Sequence, residues 1–188
     1  MRIDMQSRLY CLTGIKHSGK STLGSLLAAE IGCLFVDLDE QIENLFSAGE
    51  REKRPVREIY RRYGRRVFQD YEYRAAESIA SAWETNPGTS LVAAAGGGII
   101  DNPDACKALK PPALIIYLEE EAELLYERII RNGIPPFLSG EDPRRDFLAL
   151  YERRSSAYRD YADLTLALEG RTIEAVLGLL KRSLEKLG

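Results

Sequence analysis

Short apolar runs alternate with longer stretches of helical periodicity along the whole chain, the pattern of strands and helices built around a mostly parallel sheet. Residues 8–13, Arg-Leu-Tyr-Cys-Leu-Thr, read as a buried first strand, and 34–36, 91–95, 113–118 and 163–168 as four more. Helical pattern covers about 20–31, closed by Gly32, then about 39–47 and 56–84 with a joint at Gly64. It returns over about 119–131, 144–161 and 172–187. Breaks fall at 47–55 and 132–143, the second holding three prolines and two glycines. No repeat, low-complexity tract or linker divides residues 1–188, so a single domain is expected.

Composition narrows the class. The chain has 188 residues, 45% hydrophobic and 29% charged, which suits one globular α/β domain. A net charge of −3 lacks the basic excess of a nucleic-acid binder. The three cysteines, Cys11, Cys33 and Cys106, form no C-x-x-C pair, and buried reduced thiols in a cytoplasmic protein are expected. No apolar run is long enough to span a membrane.

The first strand runs into Gly14, Ile15, Lys16, His17, Ser18, Gly19, Lys20 and Ser21, a full match to G-x-x-x-x-G-K-[ST]. Glycines let the backbone curl until successive N–H groups face one phosphate, and the helix that follows adds its positive end. Nucleotide contacts are expected from Gly14 through Thr22, with Lys20 on the outer phosphates and Ser21 on a magnesium ion. His17, the only histidine, is read as filler rather than as a base.

Asp37 and Asp39 follow the second strand at the carboxyl end, where open α/β sheets bind ligands. Two apart in extended chain, their carboxylates share a side. One suits a metal's hydration shell and the other an attacking hydroxyl; helix capping by one of them is the plainer alternative. Gly96, Gly97 and Gly98 end the third strand and permit close approach of backbone to ligand, or simply make a tight turn.

Together these segments resemble the shikimate kinases, a branch of the nucleoside-monophosphate-kinase fold. The resemblance rests on the P-loop, Asp37/Asp39, the run from Glu58 through Gly64 and Phe68 to Glu72, the three glycines, and Arg154 with Tyr158-Arg159. It implies a three-layer α/β/α P-loop kinase fold with a substrate-binding segment at about 39–72 and a lid at about 132–142. It also implies ATP and Mg2+ as cofactors, shikimate or a similar small molecule as partner, and a monomer. By position it assigns Asp37 to the metal and Asp39 to the substrate hydroxyl. Glu72, Gly96 and Gly97 go to the substrate site, Arg154 to the substrate carboxylate, and Arg131 to the adenine. Lys20 and Asp39 are the expected catalytic residues.

The chain departs from the family's pattern at the site. Gln69 stands where the family has a second carboxylate-binding arginine, and Pro135 where it has a lid arginine. Residues 50–55 add about four positions, and the lid is about three residues shorter. Arg65 and Arg66 share a helix face with Gln69 and are candidate replacements, although the plainer reading of Arg61, Arg62, Arg65 and Arg66 is a solvated face. Two other readings stay open: a related kinase with another hydroxy-acid or polyol acceptor, and a nucleotide-binding regulatory domain that has lost catalysis.

Overall fold

The computed structural model describes residues 8–86, 88–131, 138 and 140–187. Five strands, β1 (Leu9–Thr13), β2 (Leu34–Asp37), β3 (Leu91–Ala94), β4 (Ala113–Glu119) and β5 (Leu164–Ala167), form one sheet in the order β2-β3-β1-β4-β5. Every pairing is parallel, with Leu9 opposite both Leu91 and Ala113. Helices cover both faces, as a parallel sheet requires. They are α1 (Lys20–Ile31), α2 (Leu38–Glu50), α3 (Val56–Glu84), α4 (Pro103–Leu109), α5 (Ala122–Ile130), α6 (Pro143–Tyr161) and α7 (Ile173–Glu185).

Alternation along β1 divides the interior in two. Leu9 and Cys11 join a core with Ile42, Phe46, Ile59, Ala75, Ala105, Phe147 and Tyr158. Tyr10 and Leu12 join a second with Leu23, Leu27, Val92, Leu166 and Leu180. β1 is therefore buried on both sides, which is why its sequence is apolar throughout. The outermost β2 leaves Leu34 exposed. Cys11 and Cys106 are buried free thiols, whereas Cys33 is half-exposed beside that edge and not interior as expected.

Two features shape the segment beneath the site. α3 is broken at Gly64, whose backbone (φ 80°, ψ 174°) leaves the helical region. The Phe46 ring packs edge-on against Tyr63 before the break and Tyr71 after it, with centroids 5.1 and 5.2 Å away. The added stretch at 50–55 is closed by side chains. Arg51 ends α2 at φ 55°, Arg54 pairs with Glu52 and Glu58, and Glu43 accepts the Val56 amide at 2.9 Å. Helix α4 and the 3-10 turn at Ile99–Asp101 are absent from the periodicity reading. α4 spans only seven residues, yet Asn102 caps it through the Ala105 amide and Pro103 opens it. Among the described residues no helix is long and apolar enough to cross a membrane.

A β-carbon on Gly24 of α1 would lie 2.6 Å from Cε2 of Phe35 in β2. A side chain at position 24 would have to displace the Phe35 ring or lift helix α1 from the sheet. Gly24→Val should destabilise the fold by about 1–3 kcal/mol, the usual effect of overpacking. Gly178→Ala in α7, where the nearest neighbour is the end of Arg182 at 3.5 Å, should instead stabilise by roughly 0.5–1 kcal/mol. Urea unfolding of both variants tests the contrast.

Candidate active site

The loop between β1 and α1 has the conformation its glycines predict. Gly14 and Gly19 have φ of 142° and 87°, and His17 is itself left-handed at 67°. A β-carbon on Gly14 would lie 2.7 Å from the Leu118 carbonyl of β4. Lys20 is 8% exposed and folds back to donate to the Ile15 carbonyl at 3.1 Å. Burial pushes its pKa down to about 8, although Asp39 and Asp37 pull the other way. The Ser18 hydroxyl is buried without a hydrogen-bond partner. An orphaned donor beside a buried lysine, inside a curl of backbone amides, fits an anionic group such as a nucleotide phosphate.

Asp37 caps a helix, as the plainer sequence reading has it, and also bonds Ser21. Its Oδ1 accepts the Asp39 amide at 2.9 Å and caps α2, while its Oδ2 accepts the Ser21 hydroxyl at 2.6 Å. Ser21 and Asp37 thus put two hard oxygen donors together, which fits a magnesium ion whose other ligands are phosphates and waters. Among the described residues no cluster of three or more His, Cys, Asp or Glu could hold a metal by itself.

Asp39 heads α2 and faces the glycine turn after β3. A β-carbon on Gly96 would lie 2.9 Å from Asp39 Oδ1 and 3.6 Å from Glu72 Oε1, so the two carboxyl groups flank one bare stretch of backbone. Burial raises the Asp39 pKa to about 6, with Asp37 adding to the rise and Lys20 and Lys16 opposing it. Glu72 is 3% exposed, and its pKa reaches about 7 through burial, against the lowering effect of the Asn102 amide that donates to it at 2.9 Å. Gly97 packs still closer, since a β-carbon there would sit 2.7 Å from the Lys16 nitrogen. The Gly96–Gly98 turn and the P-loop are in direct backbone contact.

Arg154, from α6, lies against the same turn. Its Nη1 donates to the Gly97 carbonyl at 3.1 Å, while Nε and Nη2 both donate to Asp101 Oδ2 at 3.1 and 2.8 Å. Arg153 grips the other oxygen of Asp101 at 2.6 Å. Burial works to raise the Asp101 pKa, but the hydrogen bonds from Arg153 and Arg154 outweigh it and hold the group below its ordinary value. Gln69 donates to the Asp101 backbone carbonyl at 2.8 Å, and Arg65 reaches the same oxygen at 3.3 Å. Arg65 stays exposed while making this contact. Asp101 and Arg153 escaped the sequence reading, although the acidic residue shortly after three glycines and the paired arginines were visible.

The lid side also differs in detail. Arg131 is exposed and faces Glu127 at 3.8 Å. Arg128, one turn earlier, donates to the His17 carbonyl of the P-loop at 3.2 Å and to the buried Glu120 at 3.0 Å. Glu120 in turn accepts the Gly170 amide at 3.0 Å. Pro135 and most of 132–142 lie outside the described residues.

A family profile described as "Shikimate kinase" matches residues 16–185. A shikimate kinase of Moorella thermoacetica is 32% identical over 174 residues, covering 93% of this chain and 92% of its own. The structure of an Acinetobacter baumannii shikimate kinase in complex with shikimate superposes with a TM-score of 0.78 at 26% identity, covering 97% and 96% of the two chains. A thymidylate kinase of Candida albicans, at a TM-score of 0.60 and 13% identity over 96% and 92%, shares the fold.

Glu72 carries a testable electrostatic strain. A carboxyl whose folded pKa is raised is unpenalised below its unfolded value and fully penalised above its folded one. The window here runs from the ordinary glutamate value of 4.5 to about 7. Glu72→Gln should therefore stabilise the fold at pH 8 by on the order of 2 kcal/mol, and the gain should vanish near pH 4. Thermal melts across that range measure it, and a pH-independent difference would exclude the ionisation as its source.

Proposed function

The chain belongs to the shikimate kinase family, and on that premise we propose that it transfers the terminal phosphoryl group of ATP to shikimate, giving shikimate 3-phosphate. It is a small-molecule kinase. The observation that carries the residue roles is the convergence of an anion cradle with a buried lysine and a carboxylate of raised proton affinity at the carboxyl ends of the strands.

Asp39 takes the proton of the acceptor hydroxyl. The hydroxyl oxygen then bonds to the terminal phosphorus as the bond from that phosphorus to the bridging oxygen breaks, leaving ADP. Lys20 and the loop amides offset charge on the phosphate oxygens. Ser21 and Asp37 would hold magnesium, which supplies further neutralisation of those oxygens. Glu72 and the Gly96–Gly97 backbone shape the acceptor's surroundings, and Arg154 supplies a cation for its carboxylate. Arg128 reaches the P-loop from outside and is the leading substitute for the lid arginine replaced at Pro135.

A coupled ADP-release screen over shikimate, quinate, gluconate and nucleoside monophosphates tests the assignment. Shikimate should give the highest kcat/KM. A preference for gluconate or another polyol would move the chain to a different acceptor, and no turnover at all would favour a non-catalytic nucleotide-binding domain.

The acid–base roles predict opposite limbs. The rate with acceptor should rise through pH about 6 as Asp39 ionises, and kcat/KM for ATP should fall above about 8 as Lys20 loses its proton. Asp39→Asn should lower kcat by about two decades or more and remove the first limb only. An equal loss in a His17 variant would overturn the choice of base.

Arg128→Ala should lower kcat by about ten- to a hundredfold, the worth of a hydrogen bond to a charged group. Arg131→Ala should leave kcat within about twofold, since its side chain is exposed and faces Glu127. The reverse ranking in steady-state kinetics would give the role to Arg131 instead.

A further inference from the structure

The acceptor end of the site already contains a carboxylate bound to its best-placed cation. Arg154 is the partly buried guanidinium there, its side chain 17% exposed against 58% for Arg153. It lies flat on the glycine turn, with Nη2 at 3.2 Å from where a β-carbon on Gly98 would stand. Its Nε and Nη2 converge on Asp101 and its Nη1 is held by the Gly97 carbonyl. This is the edge a guanidinium presents to a carboxylate ligand, and it is taken by the chain itself.

We infer that Asp101 is a resident counter-ion that an incoming acceptor carboxylate must displace from Arg154, and that this exchange sets how strongly the site prefers carboxylated over uncharged acceptors. The inference rests on the reading of shikimate as acceptor. Three observations support an exchange over a fixed brace. Arg153 binds both oxygens of Asp101, Nη1 to Oδ1 at 2.6 Å and Nη2 to Oδ2 at 3.3 Å, so Asp101 keeps a partner when Arg154 is withdrawn. Gln69 and Arg65 hold Asp101 through its backbone carbonyl, not its carboxylate, so its main chain stays anchored when the carboxylate releases Arg154. The pocket also carries the Asp39 and Glu72 carboxyl groups beside Gly96. A further anion entering there meets a negative surround unless Arg154 is released to it.

The test uses the full chain and two acceptors, shikimate and its carboxamide, which has the same ring and hydroxyls without the charge. Asp101→Asn keeps shape and removes the competing anion. It should lower KM for shikimate by about tenfold or more, the scale of one charged hydrogen bond. The kcat and the KM for ATP should each stay within about twofold, and the KM for the carboxamide should hardly change. Asp101→Ser, which is too short to hold Arg154, should show the same split, and thermal melts verify folding of both. A KM for shikimate that rises, or that moves in step with the carboxamide in both variants, would make Asp101 a structural brace and overturn the inference while leaving the kinase assignment intact. Failure of wild type and both variants to phosphorylate shikimate, with another acceptor turned over, would instead overturn the substrate assignment and this inference together.

Discussion

Two backbones must touch for this site to exist. The turn after β3 lies against the P-loop after β1 with no room for a side chain, since a β-carbon on Gly97 would overlap the Lys16 nitrogen. That contact follows from β1 and β3 being neighbours in register, Leu12 opposite Ala94, so both strands end at the same height. It brings the phosphate cradle and the acceptor surface together without a long side chain spanning the gap. Parallel order, short strands and glycine at each strand end are one arrangement seen at three scales.

The same closeness concentrates charge. Lys20, Asp37, Asp39 and Glu72 crowd a poorly hydrated corner, where burial holds the lysine down to about 8 and raises Asp39 and Glu72 to about 6 and 7. Lys20, Asp39 and Glu72 are each less comfortable in the charged form than they would be in water. The apolar packing of two cores offsets that strain, and the reactive groups are kept near neutral proton affinity, where a proton moves with little penalty.

What was legible in the sequence is what is local. The P-loop, its preceding strand and the helix closed by Gly32 are each specified by residues adjacent in the chain, and all appear where the pattern puts them. Asp37 and Asp39 were legible as a pair because a strand end and a helix start are both read from neighbours. Helix α4 was not, because seven residues give too little periodicity to outvote the prolines around it. Arg128 and Arg131 are one turn apart, and only the packing of α5 on the P-loop decides which faces inward. Asp101 and the arginine pair could each be seen in the sequence, but not their union: the partners lie more than fifty residues away, on α6, and pairing across that distance leaves no trace in spacing.

The break at Gly64 turns one long helix into a bent lever with Phe46 as its fulcrum. The ring touches Tyr63 on one arm and Tyr71 on the other, so the position of α2 and the angle of the bend form a single mechanical coordinate. Asp39 rides on α2, and Gln69 and Glu72 ride on the far arm. A change in the bend would therefore move Asp39 relative to Gln69 and Glu72 in one stroke.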